Sequence, residues 1–281
     1  MTQTRNSSGG RHHSERERML LMTPDRVFYR GLLGTPSLRN FGSITLYASM
    51  GCPFGLSLDG QRWEQHELAV VPPHTAHRIV TQDPLIGSIM IEPESVDPAR
   101  LPAVLRPSSR TDMASLERIR AAYAYLQTFD GGRPLDTRDS DRLFWGQTLA
   151  ARNLDHRVAA TIERIARDPA GHHSGEVCAD EAGLSFSRFL HLFKQETGVA
   201  FRKFQAWKRA RSLLHHVNRR SSLVDIALDV GYPDSTHFSH VIRQVYGLPP
   251  REIFAGSRRL VILRQEPSPA DFCRQRRPVA A

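Results

Sequence analysis

The chain has 281 residues, room for two ordinary domains each with its own core, and 40% hydrophobic with 24% charged residues is a globular balance rather than a disordered one. No apolar run approaches the roughly 18 residues needed to span a bilayer, and Met1 to Arg18 is polar and Arg-rich, without the apolar core of a secretory signal. The net charge of +9 is uneven: residues 1–155 hold 18 Lys+Arg against 17 Asp+Glu, residues 156–256 hold 14 against 10, and the last 25 hold 6 against 2, so the basic excess lies in the C-terminal half, as expected if that half meets a polyanion.

Residues 1–24 mix Ser, Gly, His and Arg and read as a disordered leader. From Val27 to Ile91 short apolar or alternating segments follow one another, at Ile44–Tyr47, Phe54–Leu58 and Leu85–Ile91, with Gly, Pro and Asp turn signals between them. Asp59-Gly60 predicts a hairpin joining Phe54–Leu58 to Gln61–Gln65, Glu67–Val71 ends at Pro72-Pro73, and His77–Val80 follows. Strands so closely spaced predict a sandwich or small barrel over residues 25–110. Beyond Pro107 the period turns helical. Met113, Leu116, Ile119, Ala122, Tyr123 and Leu126 lie on one face, Asp130–Pro134 breaks the pattern, and a second helix is predicted from about Ser140 to Asn153. The pair, within a helical linker at 111–155, could pack on its own domain or form a dimer with a second copy.

Residues 156–256 contain a repeated pattern. Val177–Ser185 is followed by Phe186–Lys194 and Gly198, and Asp225–Tyr232 is followed by Pro233–Arg243 and Gly247. Ala179 and Ala227 each stand four residues before a Gly. A small residue there lets two helices cross closely, and a Gly just past a helix supplies the left-handed residue that ends it. Ser185 is a good N-cap for the helix it precedes. Phe189, Leu192 and Phe193 make one buried stripe, and Phe238, Val241, Ile242 and Val245 another. Ser187, Arg188, Leu190, His191 and Lys194 are left on other faces of the first helix, and Ser235, Thr236, His237, His240 and Arg243 on those of the second. A helix, a glycine turn and a capped second helix with short polar side chains form a unit that enters a DNA major groove. Two units joined by a single predicted helix, Phe201 to Val217, would hold two reading helices at fixed separation. Its predicted buried face is Phe201, Phe204, Trp207, Leu213, Leu214 and Val217, with charge supplied by Arg202, Lys203, Lys208, Arg209 and Arg211.

The run Gly183-Leu184-Ser185 to Phe193-Lys194-Gln195-Glu196-Thr197-Gly198 resembles the first half of the AraC-type (AraC/XylS) DNA-binding domain. Ile226-Ala227, Gly231-Tyr232-Pro233-Asp234-Ser235, Phe238 and Tyr246-Gly247-Leu248-Pro249-Pro250 resemble the second half. The resemblance covers about residues 156–256. It implies a seven-helix all-α domain with reading helices at about 186–196 and 234–245, and an all-β, cupin-like N-terminal barrel with trailing helices. Where many members of that family place a reading Arg in each helix, this chain has His191 and His240; Cys178 replaces a core Leu and Ile242 a Phe.

The resulting expectation is a sequence-specific, ligand-responsive transcriptional regulator in the cytoplasm, an activator rather than a repressor, and not an enzyme. Expected partners are double-stranded DNA, RNA polymerase, an unidentified small-molecule effector and a second copy of the chain, with no membrane. Tyr47, Phe54, Trp63, His74 and His77 are the candidate effector residues. No metal or cofactor is expected: His74 and His77 are spaced His-x-x-His after two prolines, with no Glu at a ligand spacing. Cys52, Cys178 and Cys273 are far apart, odd in number and without CxxC spacing, which disfavours a disulfide framework or a zinc site. Residues 257–281 read as a disordered basic tail. The rival readings are a cupin metallo-oxygenase with an accessory helical domain, which would need a metal constellation, and a nucleoid-type binder, which would need no sequence preference.

Overall fold

A computed structural model describes residues 18–34, 37–107, 112–129, 135–219, 221–257 and 260–264. Its N-terminal part contains strands β1 (Met19–Met22), β2 (Arg26–Gly31), β3 (Ile44–Ser49), β4 (Phe54–Ser57), β5 (Glu64–His66), β6 (Leu68–Val71), β7 (Arg78–Thr81) and β8 (Ile86–Ile91). A ninth strand, β9 (Val261–Arg264), comes from the far end of the described chain. The expected barrel is not closed. Six strands form one sheet in the order β6-β3-β8-β2-β1-β9, and β5-β4-β7 form a separate one. Pro72-Pro73 follows β6 directly, and prolines have no N–H with which to carry a ladder onward. The hairpin of β4 and β5 forms with Phe54 opposite His66 and Leu56 opposite Glu64, so its loop is longer than the two-residue turn expected from Asp59-Gly60.

Two further expectations are corrected at the ends of the chain. Met19–Met22, placed in a disordered leader, is a strand with all four residues buried. Val261–Arg264, placed in a disordered tail, pairs with it in parallel, Met19 beside Val261 and Met22 beside Arg264. An unbroken apolar run such as Met-Leu-Leu-Met suits a strand covered on both faces. Residues 1–17 and 265–281, Cys273 among them, lie outside the described residues, as do the predicted break at Asp130–Pro134 and the pair Arg258-Arg259.

Helices α1 (Met113–Thr128) and α2 (Thr137–Trp145) lie on the outer face of the large sheet. The second is earlier than predicted: Gly146 adopts φ 75° and ends it. Leu116, Ile119, Tyr123 and Phe144 join Phe28, Leu46 and Ile89 of the sheet in one core, with Phe28 stacked on Phe144 at 4.2 Å between ring centroids. The pair therefore packs on its own domain.

The C-terminal part comprises α3 (His156–Arg167), α4 (Gly175–Glu181), α5 (Phe186–Thr197), α6 (Phe201–Ser212), α7 (Leu223–Asp229), α8 (Ser235–Tyr246) and α9 (Pro250–Ser257), seven α-helices among the described residues. The connector is shorter than predicted: α6 gives way at Leu213–His215 to a 3₁₀ turn. The cores divide unequally. Val158, Ile165, Cys178, Ala179, Phe189, Phe193, Phe201 and Phe204 form a separate core around α4 and α5. Trp207, Leu214, Ile226, Phe238 and Ile242, by contrast, share one continuous core with Tyr47, Phe54 and Ile79 of the sheets. One helical unit stands on its own core and the other is fused to the sheet domain.

Candidate nucleic-acid interface

The glycine turns of the two helical units repeat each other bond for bond, with caps that differ. In the first, Ser174 caps α4 by accepting from the Val177 amide, Gly183 turns the chain at φ 64°, and the Leu184 amide donates to the Ala179 carbonyl at 2.9 Å. In the second, Ser222 and Asp225 form a reciprocal capping box on α7, Gly231 turns at φ 79°, and the Tyr232 amide donates to the Ala227 carbonyl at 2.8 Å. Ala179 and Ala227 are both fully buried at the helix crossing. The outer helices begin alike. Ser185 accepts from the Arg188 amide at the start of α5, while one carboxylate oxygen of Asp234 accepts from both Thr236 and His237 at the start of α8. Both helices end on a left-handed glycine, Gly198 and Gly247.

This geometry decides which side chains are free. On α5, Ser187, Arg188, His191 and Lys194 are exposed, whereas Leu190 is half-buried against the core of its unit. On α8, Thr236, His237, His240 and Arg243 are exposed and Ser235 is half-buried. The His237 ring lies edge-on to Tyr232 at 5.6 Å, and the Gln244 amide meets the His240 Nε2 at 2.9 Å. Each outer helix thus presents polar side chains on one face and anchors itself by a phenylalanine on the other, Phe189 and Phe238.

Not all the cations expected on the connector face outward. Lys208 and Arg211 are buried against the sheet domain. Lys208 Nζ pairs with Glu92 at 2.6 Å and with Glu94, Arg211 Nε pairs with Glu92 at 2.8 Å, and the Trp207 indole N–H donates to the same Glu92 carboxylate at 3.0 Å. Burial pushes the Glu92 carboxyl up, but Lys208 and Arg211 outweigh it and hold Glu92 below the usual carboxylate range. Burial raises Glu94, and Lys208 offsets this only in part. Arg202 and Lys203 remain exposed.

The five candidate effector residues do not line one cavity. Tyr47, Phe54 and His77 come together in the packed core between the sheets, where the Tyr47 hydroxyl lies 2.8 Å from His77 Nε2. Trp63 is exposed in the β4–β5 loop, and His74 stands at the domain junction. An apolar cavity of about 210 Å³ lies elsewhere, between the large sheet and the C-terminal helices. Leu20, Val27 and Tyr29 line it from one side, Leu214, Tyr246 and Ile253 from the other. Arg39 reaches its wall, buried, donating one bond to the Leu33 carbonyl at 2.6 Å, and its Nε has no hydrogen-bond partner among the described residues. The sequence signal for this cavity was the apolar run Met19–Met22 inside a polar segment. Among the described residues no cluster of three or more His, Cys, Asp or Glu could hold a metal, and no helix is long and apolar enough to cross a membrane.

Two glycine-turned helix pairs on one connector, each offering a capped outer helix with a free polar face, define a double helix-turn-helix domain. A family model described as a helix-turn-helix domain matches residues 178–256. The transcriptional activator RhaS of Escherichia fergusonii is 30% identical over 160 residues, 52% of this chain and 57% of that protein. RhaS of Escherichia coli O139:H28 is 29% identical over 161 residues with the same coverage. The chain thus matches little more than half the length of these relatives. In fold it is similar to the apo form of a single-substitution variant of ToxT from Vibrio cholerae strain SCE256, with a TM-score of 0.53 over 83% of this chain and 97% of that one at 11% identity. The helix-turn-helix region is thus similar to that of the RhaS activators, in line with the AraC-type resemblance of its sequence.

Proposed function

We propose that this protein is a sequence-specific, double-stranded-DNA-binding transcriptional regulator, an activator that recruits RNA polymerase in response to a small molecule. The observation that carries the reading is the pair of exposed polar faces on α5 and α8, fixed by identical turns to one connector. Two different faces, Ser187, Arg188 and His191 against Thr236 and His240, suit two different half-sites in successive major grooves. The activator part is supported by the RhaS relatives, which are activators. The effector part is supported by the cavity between sheet and helices, since a molecule seated there touches both domains.

Selection of bound duplexes from a random pool by the full-length protein, followed by footprinting, tests this. The expected result is a bipartite site with dissimilar halves about one helical turn apart. Recovery of no preferred sequence, or a footprint confined to one turn, overturns it. Transcription from a promoter carrying the selected site should rise with the protein present.

A further inference from the structure

The C-terminal half of α8 faces the sheet domain on one side. A cleft of about 760 Å³ separates it from two turns of the sheet domain, with α6 as the floor. Four basic side chains line the cleft, His74 from the sheet domain, Lys203 from α6, and His240 and Arg243 from α8, and among the described residues no carboxylate lines it. The walls are fixed to each other: the Asn40 amide donates to the Val245 carbonyl at 3.0 Å.

His74 is the one non-glycine among the described residues with positive φ, at 58°. A left-handed conformation is uncommon for any residue but glycine and persists where the surroundings impose it. Here the His74 amide donates to the Phe41 carbonyl at 2.6 Å, which holds the strained turn against the cleft. The half-buried imidazole makes no hydrogen bond among the described residues. Burial and the neighbouring Lys203 both disfavour its charged form, opposed only by the more deeply buried Glu92. The cleft thus sets two cations, Lys203 and Arg243, and two imidazoles among apolar walls that include Leu38, Trp207 and Val241.

We infer that this cleft takes the phosphodiester backbone of duplex DNA, so that the footprint of the second helix-turn-helix unit continues onto the sheet domain. His74 and Lys203 then bond phosphate beside the groove that α8 reads. A phosphate oxygen accepts from both, and it carries no base identity, so the contact strengthens binding without changing which sequence is preferred. The inference rests on the DNA-binding reading above and extends it to a domain that reading leaves off the DNA.

The test titrates full-length protein against its selected duplex over a range of salt. Wild type is compared with Lys203→Ala, Lys203→Arg and His74→Gly; glycine keeps the left-handed turn and removes only the imidazole. Lys203→Ala is expected to lower the slope of log affinity against log salt by about 0.9, one phosphate's worth. Lys203→Arg restores it, and His74→Gly weakens binding roughly 3- to 10-fold at low salt, all with unchanged base preference. Unchanged slope and affinity in Lys203→Ala and His74→Gly, while wild type binds normally, overturn this inference alone. Tighter binding by His74→Gly also overturns it, because the sheet domain would then be obstructing the duplex. Failure of wild type to bind any duplex defeats this inference together with the functional reading on which it rests.

Discussion

Lys208 Nζ lies 2.6 Å from a carboxylate oxygen of Glu92, although Lys208 belongs to the helix joining the two helix-turn-helix units and Glu92 to the sheet domain. Both are nearly inaccessible, so neither is solvated in the folded protein. The same Glu92 also holds Arg211 and Trp207; Arg211 donates on to the Arg26 carbonyl at 3.4 Å, and the Arg26 side chain pairs with Asp141 on α2. Glu92 thus ties the connector helix to the sheet domain from inside the shared core.

Removal of that acid is predicted to be severe. Among the described residues, Glu92→Leu takes the only carboxylate from buried Arg211, leaving it backbone carbonyls alone, leaves Lys208 with Glu94 only, and removes the acceptor of the Trp207 indole N–H; breaking a buried pair from one side costs about 3–5 kcal/mol. Lys208→Met leaves Glu92 with Arg211 and Trp207, and Glu94, whose carboxyl burial already pushes up, can take a proton when its cation is gone, so this variant should cost less. Urea denaturation checks both: Glu92→Leu should lower the midpoint further and separate the unfolding of the two domains into distinct transitions. A larger loss in Lys208→Met would refute the ranking.

His77 supplies an acid-sensitive element. Its Nδ1 lies 2.8 Å from the Thr75 carbonyl, which can only accept, so Nδ1 carries the proton and Nε2 accepts from the Tyr47 hydroxyl. Burial, with a smaller contribution from Arg39, lowers the His77 pKa to about 4 despite the Thr75 bond. Between that value and about 6.5 the unfolded chain binds the proton and the folded one does not, so stability falls as pH drops through this window and is unaffected above it. At about 1.4 kcal/mol per unit of separation the ceiling is roughly 3 kcal/mol. Thermal melting from pH 7 to 4.5 should decline less steeply in His77→Gln than in wild type; parallel profiles would exclude the assignment.

The parts of this architecture legible in the sequence are those set by local chemistry. Ala179 and Gly183, or Ala227 and Gly231, specify a helix crossing and its turn within five residues, and Ser185 specifies a helix start, so the reading helices emerge within a residue or two of their expected bounds. What was not legible depends on partners far along the chain. β1 is a strand because β2 and β9 flank it, and nothing near Met19 announces Val261. Lys208 and Arg211 read as solvated charge because their acids lie in another domain. The candidate effector residues stand out in the sequence as aromatic and imidazole groups near strands; Tyr47 and His77 instead satisfy each other in the core, and the cavity forms where the two domains meet.

The turn glycines are predicted to differ in sensitivity although their dihedrals are alike. At Gly183, φ 64°, an added Cβ would meet nothing within 4 Å, so Gly183→Ala carries only the left-handed penalty of about 1–2 kcal/mol. At Gly231, φ 79°, the Cβ would fall 2.3 Å from the Ala170 carbonyl oxygen, which is backbone and cannot swing aside. Gly231→Ala should therefore destabilise the protein by clearly more and, because α7 and α8 share the core of the sheets, lower the melting of the whole molecule. Equal losses in the two variants would contradict this.

The last prediction separates reading from scaffolding among the histidines of α8. His237 is exposed at one edge but rests edge-on against Tyr232, whose ring closes the glycine turn. His240 is exposed three residues later, touching only Gln244 of its own helix, and it stands where the related domains commonly place a reading Arg. His237→Ala should consequently lower stability and weaken binding to every duplex alike. His240→Ala should leave the melting temperature nearly unchanged and relax preference at one position of one half-site. His240→Arg provides the converse, since a guanidinium can bond guanine O6 and N7 together, worth roughly 1–3 kcal/mol of discrimination. It should shift that same position toward guanine by roughly 5- to 150-fold in relative affinity, whereas His191→Arg on α5 should do so in the other half-site. Competition binding against a panel of single-base substitutions reads all four variants. A uniform change across the panel for His240→Arg would remove His240 from the base-reading face.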